Sequence, residues 1–582
     1  MRELSRAFSA LALMLSATTM VAQGTVPPPA APSTERPVTI QVDLNKTIGP
    51  YKPIYSWFGY DEANYTTMRD GVKLLHELHD LSPVPVYIRC HNLLTSGNGV
   101  PDLKRSSTNV YSEDANGRPI YDFTIFDGIF DTYKATGVRP MVELGFMPDD
   151  LAAKFPNGQG SNQVHNPKGT NSSTLNNPPK DYAKWGELIR TVTAHLVERY
   201  GRETVLQWYF EVWNEPDVGH WHAKPEDYLK LYDYAVAGVR AALPGAKVGG
   251  PASIGPGDPT AYKFLDGFLA HANAGRSAAN GRPVPLDFIS FHAKGQPRII
   301  EGHVQMSLSH ELIDADKGFE IVAKYPRFRS LPIILSEADP EGCAACSSKV
   351  NPANNYRNGT LYPAYTAAAY KALFDLQDRH QVNLLSMLSW SFEFENKDYF
   401  EGFRSLATNG IDKPGLNFFR MAALMNGDRI STSSDGQVPL ESILASGVRS
   451  GADVDAMATN GNHEAAVLLW NYHDADQVAA SVPTTVIIHG IPANVHRILL
   501  THYRIDDTHS NAYTVWKAMG SPQNPTTEQY TELKANDGLQ LLTSPVWLNV
   551  QNGQLRLSAE MPRQAISLLY VQWQGERTYV RK

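Results

Sequence analysis

The chain has 582 residues, 42% hydrophobic and 19% charged, with 43 Gly and 39 Pro, a globular composition that excludes a disordered or fibrous protein. Its 52 Lys and Arg against 60 Asp and Glu leave a net charge of −8, and no basic run tracks a phosphate backbone, so nucleic acid is not an expected partner. Three Cys exclude a disulfide scaffold, while 10 Trp and 27 Tyr offer flat apolar faces of the kind sugar rings fit.

Arg2 and Arg6 precede a mostly apolar stretch from Ala7 to Val21, and Ala22 offers a small residue before cleavage, so residues 1–23 read as an export signal. The stretch is too short and too rich in Ser and Thr to span a bilayer, and no later segment reaches about 18 apolar residues. The expected location is periplasmic or secreted, with no membrane association after signal removal. Residues 24–36, with Pro27, Pro28, Pro29 and Pro32, read as a Pro-rich linker.

From residue 37 to 430 short apolar runs alternate with amphipathic segments. Ile54–Phe58, Val84–Ile88, Pro140–Leu144, Trp208–Val212, Lys247–Gly250, Phe288–Phe291, Pro332–Leu335 and Leu384–Leu388 read as buried strands. Trp185, Leu188, Ile189, Val192 and Leu196 share one helical face, closed by Gly201. Ile125, Ile129, Phe130 and Tyr133 share another, closed by Gly137. A third face, Tyr228, Leu231, Tyr232 and Val236, starts at Pro225 and ends by Pro244. Eight strand–helix units predict an α/β fold, a (β/α)8 TIM barrel; a doubly wound sheet fits the alternation, but the unit count favours the barrel. After residue 430 the period becomes two, in Ala466–Tyr472, Thr485–Ile491, Arg497–Ile505, Gln554–Leu557 and Ala565–Trp573, with little helix. That predicts a C-terminal β-sandwich over residues 431–582. Val38–Val42, within residues 37–45, is placed to add a strand to it.

A barrel puts its chemistry at the carboxyl ends of the strands, and here those ends are polar. Arg89-Cys90-His91 closes the second strand, Glu143 the third, and Glu211-Val212-Trp213-Asn214-Glu215-Pro216 the fourth. His292-Ala293-Lys294 closes the sixth, Ser336-Glu337 the seventh, and Trp390 with Glu393 and Glu395 the eighth. Carboxylates from two strands are what glycoside hydrolysis needs: one protonates the leaving oxygen, and the other attacks or activates water at the anomeric carbon. Pro216 favours an extended Glu215 and ends the strand there. Strand parity turns Arg89 and His91 into the barrel and sets Glu211 beside Trp213 and Glu215, where it can pair with Arg89. His292 is placed to hold the second carboxylate or a substrate hydroxyl, Trp390 to offer a sugar platform or pack in the core, and Glu393 to bind hydroxyls or stand as a loop charge.

These residues resemble glycoside hydrolase family 39, retaining barrel glycosidases that include β-xylosidases and α-L-iduronidases. The likeness rests on Trp213-Asn214-Glu215-Pro216 and Ser336-Glu337, with Arg89-Cys90-His91, Gly145-Phe146-Met147-Pro148 and Gly249-Gly250-Pro251. Asp287 to His292, Thr408 to Pro414 and, in the sandwich, Tyr503 to Asp506 with His509 to Asn511 extend it. The resemblance implies Glu215 as acid/base, Glu337 as nucleophile and Asn214 on the sugar 2-hydroxyl, in a double displacement with retention. Glu215 must then be protonated near neutral pH beside an ionised Glu337, which burial and a neighbouring negative charge would favour. The carboxyls should lie about 5–5.5 Å apart. The implied activity is that of an exo-acting β-xylosidase on xylosides or xylo-oligosaccharides. His292-Ala293-Lys294-Gly295 and Glu337-Ala338-Asp339-Pro340 are more similar to the iduronidase branch, in which Lys294 and an Arg of the last barrel loop, with Arg404 as candidate, would grip a uronate carboxylate. An α-L-iduronidase-like uronic-acid glycosidase or an arabinosidase is therefore the alternative, and a non-catalytic carbohydrate-binding barrel is the alternative of another class.

Cys343 and Cys346 read as a local disulfide in an exported protein, and Cys90 as a buried thiol. His220-Trp221-His222 lacks further spaced ligands and reads as a loop lining the substrate pocket, with Trp221 near the leaving group. No metal or cofactor is expected, and an oligomer is left open.

Overall fold

The computed structural model describes residues 36–104, 106–154, 174–341, 343 and 345–574. The amino-terminal apolar stretch and all but the last residue of the Pro-rich segment lie outside the described residues. The first strand, β1 (Val38–Pro50), belongs to the sandwich. A parallel barrel follows: β2 (Trp57–Tyr60), β3 (Tyr87–Cys90), β4 (Arg139–Leu144), β5 (Tyr209–Val212), β6 (Lys247–Ser253), β7 (Phe288–His292), β8 (Pro332–Glu337) and β9 (Asn383–Met387, continued by Ser389–Trp390). The first part of β9 pairs with β8, and Ser389 and Trp390 pair with Phe58 and Gly59 of β2, which closes the ring.

Local chemistry sets the helices between the strands. Asp181 accepts from the backbone N–H of Ala183 and Lys184 and starts Tyr182–Tyr200, whose buried face is Trp185, Leu188, Ile189, Val192 and Leu196. Gly137, in the left-handed region at φ 83°, stops Thr124–Thr136, and Pro225 opens Pro225–Ala242. Inside the ring, Trp57, Met141, Tyr209, Phe288, Ile334, Leu388 and Trp390 form a separate apolar cluster that floors the barrel mouth.

The sandwich strands are β10 (Asp428–Ser434), β11 (Asp453–Gly461), β12 (Glu464–Tyr472), β13 (Val482–His489), β14 (Arg497–Ile505), β15 (Gln540–Asn549), β16 (Leu555–Met561) and β17 (Ile566–Gln572). Their order is β15-β14-β17-β12-β11-β10-β1-β13-β16, with β1 antiparallel to β10 and parallel to β13. Alternate residues such as Ile40, Val42, Val467, Leu469, Val486 and Ile488 fill the sandwich core. The residues of opposite parity, Leu468 and Trp470, join the apolar core that surrounds the barrel, and Lys371 of helix Leu361–His380 meets Asp455 at 3.2 Å. β10 runs across residue 430, so the expected domain boundary falls within a strand.

More helix occurs after residue 430 than the period-two pattern implies: Leu440–Ser446, Ala512–Ala518 and Thr527–Ala535. The last is started by a capping box between Thr526 and Gln529 and buries only Leu533, so it carries no apolar period to read.

Gly59 in β2 has no room for a side chain, since a Cβ there would lie 2.4 Å from the Trp390 ring and 2.8 Å from the Arg89 carbonyl oxygen. Replacing Gly59 with Ala is expected to cost about 1–3 kcal/mol of stability, and activity with it, because Trp390 underlies the site described next. Chemical denaturation checks this; an unchanged midpoint would show that β2 and β9 can spread at no cost.

Candidate active site

β5 ends at Val212, and the residues after it turn sharply. Trp213 and Glu215 both have left-handed backbones, at φ 72° and 47°. The structure therefore corrects the extended Glu215 expected before Pro216. The Glu215 N–H donates to the Ala252 carbonyl at 2.8 Å, and the Val218 N–H to the Glu215 carbonyl at 3.3 Å. Those bonds hold a conformation that costs about 1–3 kcal/mol per residue elsewhere. The Trp213 indole N–H donates to the His220 carbonyl at 2.9 Å, so the same turn brings His220 back to Glu215.

Arg89, on β3, is the hub and has no exposed surface. Its Nε donates to Glu211 Oε2 at 2.5 Å, Nη1 to Glu337 Oε1 at 3.1 Å and Nη2 to Asn214 Oδ1 at 2.9 Å, while Glu143 Oε2 lies 3.1 Å from Nη2. His91, two residues on, places Nδ1 2.6 Å from Asp61 Oδ1, and Nε2 3.0 Å from Glu143 and 3.3 Å from Glu337. Burial and the Arg89 charge would lower the His91 pKa, but the charges of Glu143 and Asp61 raise it well above its ordinary value.

Glu337 is the last residue of β8. Lys294 Nζ lies 2.5 Å from its Oε2, and His292 Nε2 3.8 Å from its Oε1. Burial pushes this carboxyl up, yet Lys294, His292 and His91 together hold it well below the usual carboxylate range. Glu215 lies between two imidazoles, with Oε1 3.0 Å from His292 Nδ1 and Oε2 2.9 Å from His220 Nδ1. One donor atom each from Glu215, His292 and Glu337 falls within 4.8 Å of the others. That closest oxygen-to-oxygen approach is compatible with the carboxyl separation of about 5–5.5 Å in a retaining pair. The same three atoms have metal-site spacing, but the cations around Glu337 already supply the positive charge an ion would bring.

Glu215 does not have the expected charge environment. Burial pushes its carboxyl up, but the groups nearest it are imidazoles rather than a carboxylate, and the bonds from His220 and His292 hold it well below its usual range. His220 is raised in return, chiefly by its bond to Glu215 working against burial. The pair carries one proton jointly.

Trp390 and Glu393 are corrections. Trp390 is 1% exposed, with the Arg89 guanidinium 5.1 Å above its ring and His91 at 4.5 Å, so it supports the cluster and presents no face to a sugar. Glu393 is fully buried and accepts from the Gly410 N–H at 2.7 Å, with burial raising its pKa to about 8. It lies apart because the chain leaves the barrel after Trp390, Phe392 stacking on Tyr60 and Phe394 meeting Tyr65 edge-on. Arg89, His91, Asn214, Glu215, His292, Lys294 and Glu337 are all brought together. Asp61, Glu143 and Glu341 join them without having been assigned a role from sequence. Of these only Glu143 carried a signal, its strand parity with the inward-facing Met141. Cys343 is joined to Cys346, and Cys90 is a buried free thiol.

A family model described as Glycosyl hydrolases family 39 matches residues 38–544. The chain belongs to that family. It is a glycosidase. Among relatives, a β-xylosidase of Geobacillus stearothermophilus is 27% identical over 511 residues, covering 84% of this chain and 87% of the relative. The α-L-iduronidase of Homo sapiens is 25% identical over 547 residues, covering 87% and 74%. Among solved structures, a monomeric β-xylosidase from Caulobacter crescentus CB15 superposes with a TM-score of 0.70 at 21% identity, covering 92% of this chain and 99% of that one.

The shared proton makes a test. A raised His220 stabilises the fold fully below its unfolded pKa of about 6.5 and loses that contribution as pH rises through the folded value. A depressed Glu215 contributes above about 4.3 and loses that as pH falls through its folded value. The gap in Tm between wild type and His220→Gln is therefore expected to be widest between about pH 4.5 and 6.5 and to narrow as the solution becomes alkaline. A gap that stays constant from acid to alkaline pH would show that the pair holds no charge.

Proposed function

We propose that this glycosidase is a retaining, exo-acting β-xylosidase, with Glu337 as nucleophile and Glu215 as acid/base. The observation that carries the reading is the convergence of these two carboxylates, one donor atom of each lying within 4.8 Å of the other. The likeness to curated β-xylosidases supports the sugar. Glu337, ionised and fixed by Arg89, His91 and Lys294, attacks the anomeric carbon while Glu215 donates its proton to the leaving oxygen. A glycosyl-enzyme forms; Glu215, now the base, takes a proton from water, and that water releases the sugar with retained configuration.

The proton for the first step comes from the Glu215–His220 pair. An entering sugar displaces water, and desolvation favours the neutral pair, carboxylic acid and imidazole, over the ion pair. Asn214 gives its carbonyl oxygen to Arg89, which leaves its NH2 end for the sugar 2-hydroxyl. A second reading, a uronic-acid glycosidase, is favoured by the cation Lys294 beside the nucleophile and the likeness to the human iduronidase. With both carboxylates in place a non-catalytic sugar binder has no supporting observation. On the pattern of Arg2, Arg6 and the stretch from Ala7 to Val21 we also place the enzyme outside the cytoplasm.

Glu337→Gln should abolish turnover of aryl β-D-xylosides. Glu215→Ala should lose about 10²–10⁴-fold on substrates with poor leaving groups and far less with dinitrophenyl xyloside, which needs no proton. Proton NMR of the first-formed sugar should show the β-anomer. An α-anomer, or equal losses for both classes of leaving group, would remove the assignment of Glu215 and Glu337.

A further inference from the structure

Beside the nucleophile, the buried Arg404 and the partly buried Lys294 converge on a carboxylate that no step above uses. Lys294, 2.5 Å from Glu337, also pairs with Glu341 Oε2. On the other side Arg404 brings Nε to 3.8 Å from Glu341 Oε1, while its Nη2 lies 2.6 Å from both Asp61 and Glu62. The Glu341 side chain is 11% exposed and that of Arg404 2%. The backbone holds Glu341 there. Its N–H donates to the Gly295 carbonyl at 3.0 Å, and the preceding Pro340 carbonyl accepts from the Tyr356 hydroxyl and from Arg357 Nη2. A Cβ on Gly295 would stand 2.6 Å from the Tyr365 hydroxyl, so that side of the contact is closed as well.

We propose that Glu341 is a built-in counter-carboxylate that restricts this active site to uncharged sugars. The inference rests on the glycosidase reading and names its substrate class. Lys294 is already matched by two carboxylates, Glu337 and Glu341, and Arg404 by three, Asp61, Glu62 and Glu341. A sugar carboxylate arriving between them meets Glu341 at close range, and the charges of both cations it could pair with are already matched, a repulsive element that selects against that substrate. A neutral sugar meets the opposite situation. Glu341 Oε1 and Arg404 Nη1 are buried without a hydrogen bond among the described residues, an acceptor and a donor that sugar hydroxyls can use. Glu341 stays ionised for this, because Lys294 and Arg404 outweigh burial and lower its pKa.

The test compares kcat/KM of the full-length enzyme for aryl β-D-xyloside, aryl α-L-arabinoside, aryl β-D-glucuronide and aryl α-L-iduronide, in wild type and Glu341→Gln. Wild type is expected to cleave a neutral glycoside in strong preference to either uronide. Glu341→Gln should raise the uronide-to-neutral ratio about tenfold or more, and formate should restore neutral-glycoside turnover to Glu341→Ala by replacing the missing carboxylate. A ratio that is constant or falls in a Glu341→Gln protein with wild-type Tm overturns the proposal, as does a wild type that cleaves uronides as well as neutral glycosides. Cleavage of the arabinoside in place of the xyloside would overturn the xyloside reading alone, since the ratio is taken against whichever neutral sugar is cleaved.

Discussion

A guanidinium without water contact is tolerable only where acceptors surround it, and Arg89 dictates where those acceptors come from. Glu143 arrives from β4, Glu211 from β5, Asn214 from the turn after β5 and Glu337 from β8. Removing one partner of such a cluster typically costs about 3–5 kcal/mol, because an uncompensated charge is left behind. The strand ends are therefore held in register by charge as well as by the backbone ladder. Two of the groups in that balance, Asn214 and Glu337, are also groups proposed to touch substrate. Stability and chemistry at this barrel mouth draw on one set of contacts.

The two central carboxylates differ in what faces them. Glu337 is surrounded by Arg89, His91 and Lys294, which favour its ionised form until it bonds to a sugar. Glu215 has an imidazole on each oxygen, His292 and His220, and its bond to His220 raises that ring's proton affinity against burial. A nucleophile needs the first environment, and a group that must donate in one step and accept in the next needs the second. The contrast comes from neighbours of different proton affinity, since burial pushes both carboxyls in the same direction.

Much of the barrel was legible because buried parallel strands read as short continuous apolar runs, and because eight such runs leave few architectures. Strand parity correctly paired Arg89 with Glu211, since alternation decides which side chains share the interior. Elsewhere local rules met tertiary competition. Pro216 argues for an extended Glu215, but the Ala252 carbonyl and the turn to Val218 hold it left-handed. Trp390 lies at a site-facing strand end, yet Gly59 and Arg89 close over its ring, a fact of strand-to-strand approach that no single run encodes. Glu393 and Glu395 read alike in sequence, and only the path of the chain after β9 takes Glu393 beneath Gly410. His220 and Glu341 each stand five or fewer residues from a proposed catalytic residue, but loop conformation decides their partners and periodicity says nothing about it.

Backbone placement adds a further distinction between the two carboxylates. Glu337 ends a strand that has neighbours on both sides, and it pairs with His292 just past a register shift after Leu335, so the sheet itself sets its position relative to an anomeric carbon. Glu215 stands beyond its strand, on a left-handed turn secured at Ala252 and, through Trp213, at His220. A nucleophile forms and breaks one bond along one line and gains from such rigidity. An acid/base must serve the leaving oxygen and then a water at a slightly different point. A carboxylate on a pinned turn, with an imidazole partner on each oxygen, keeps that freedom without losing its place.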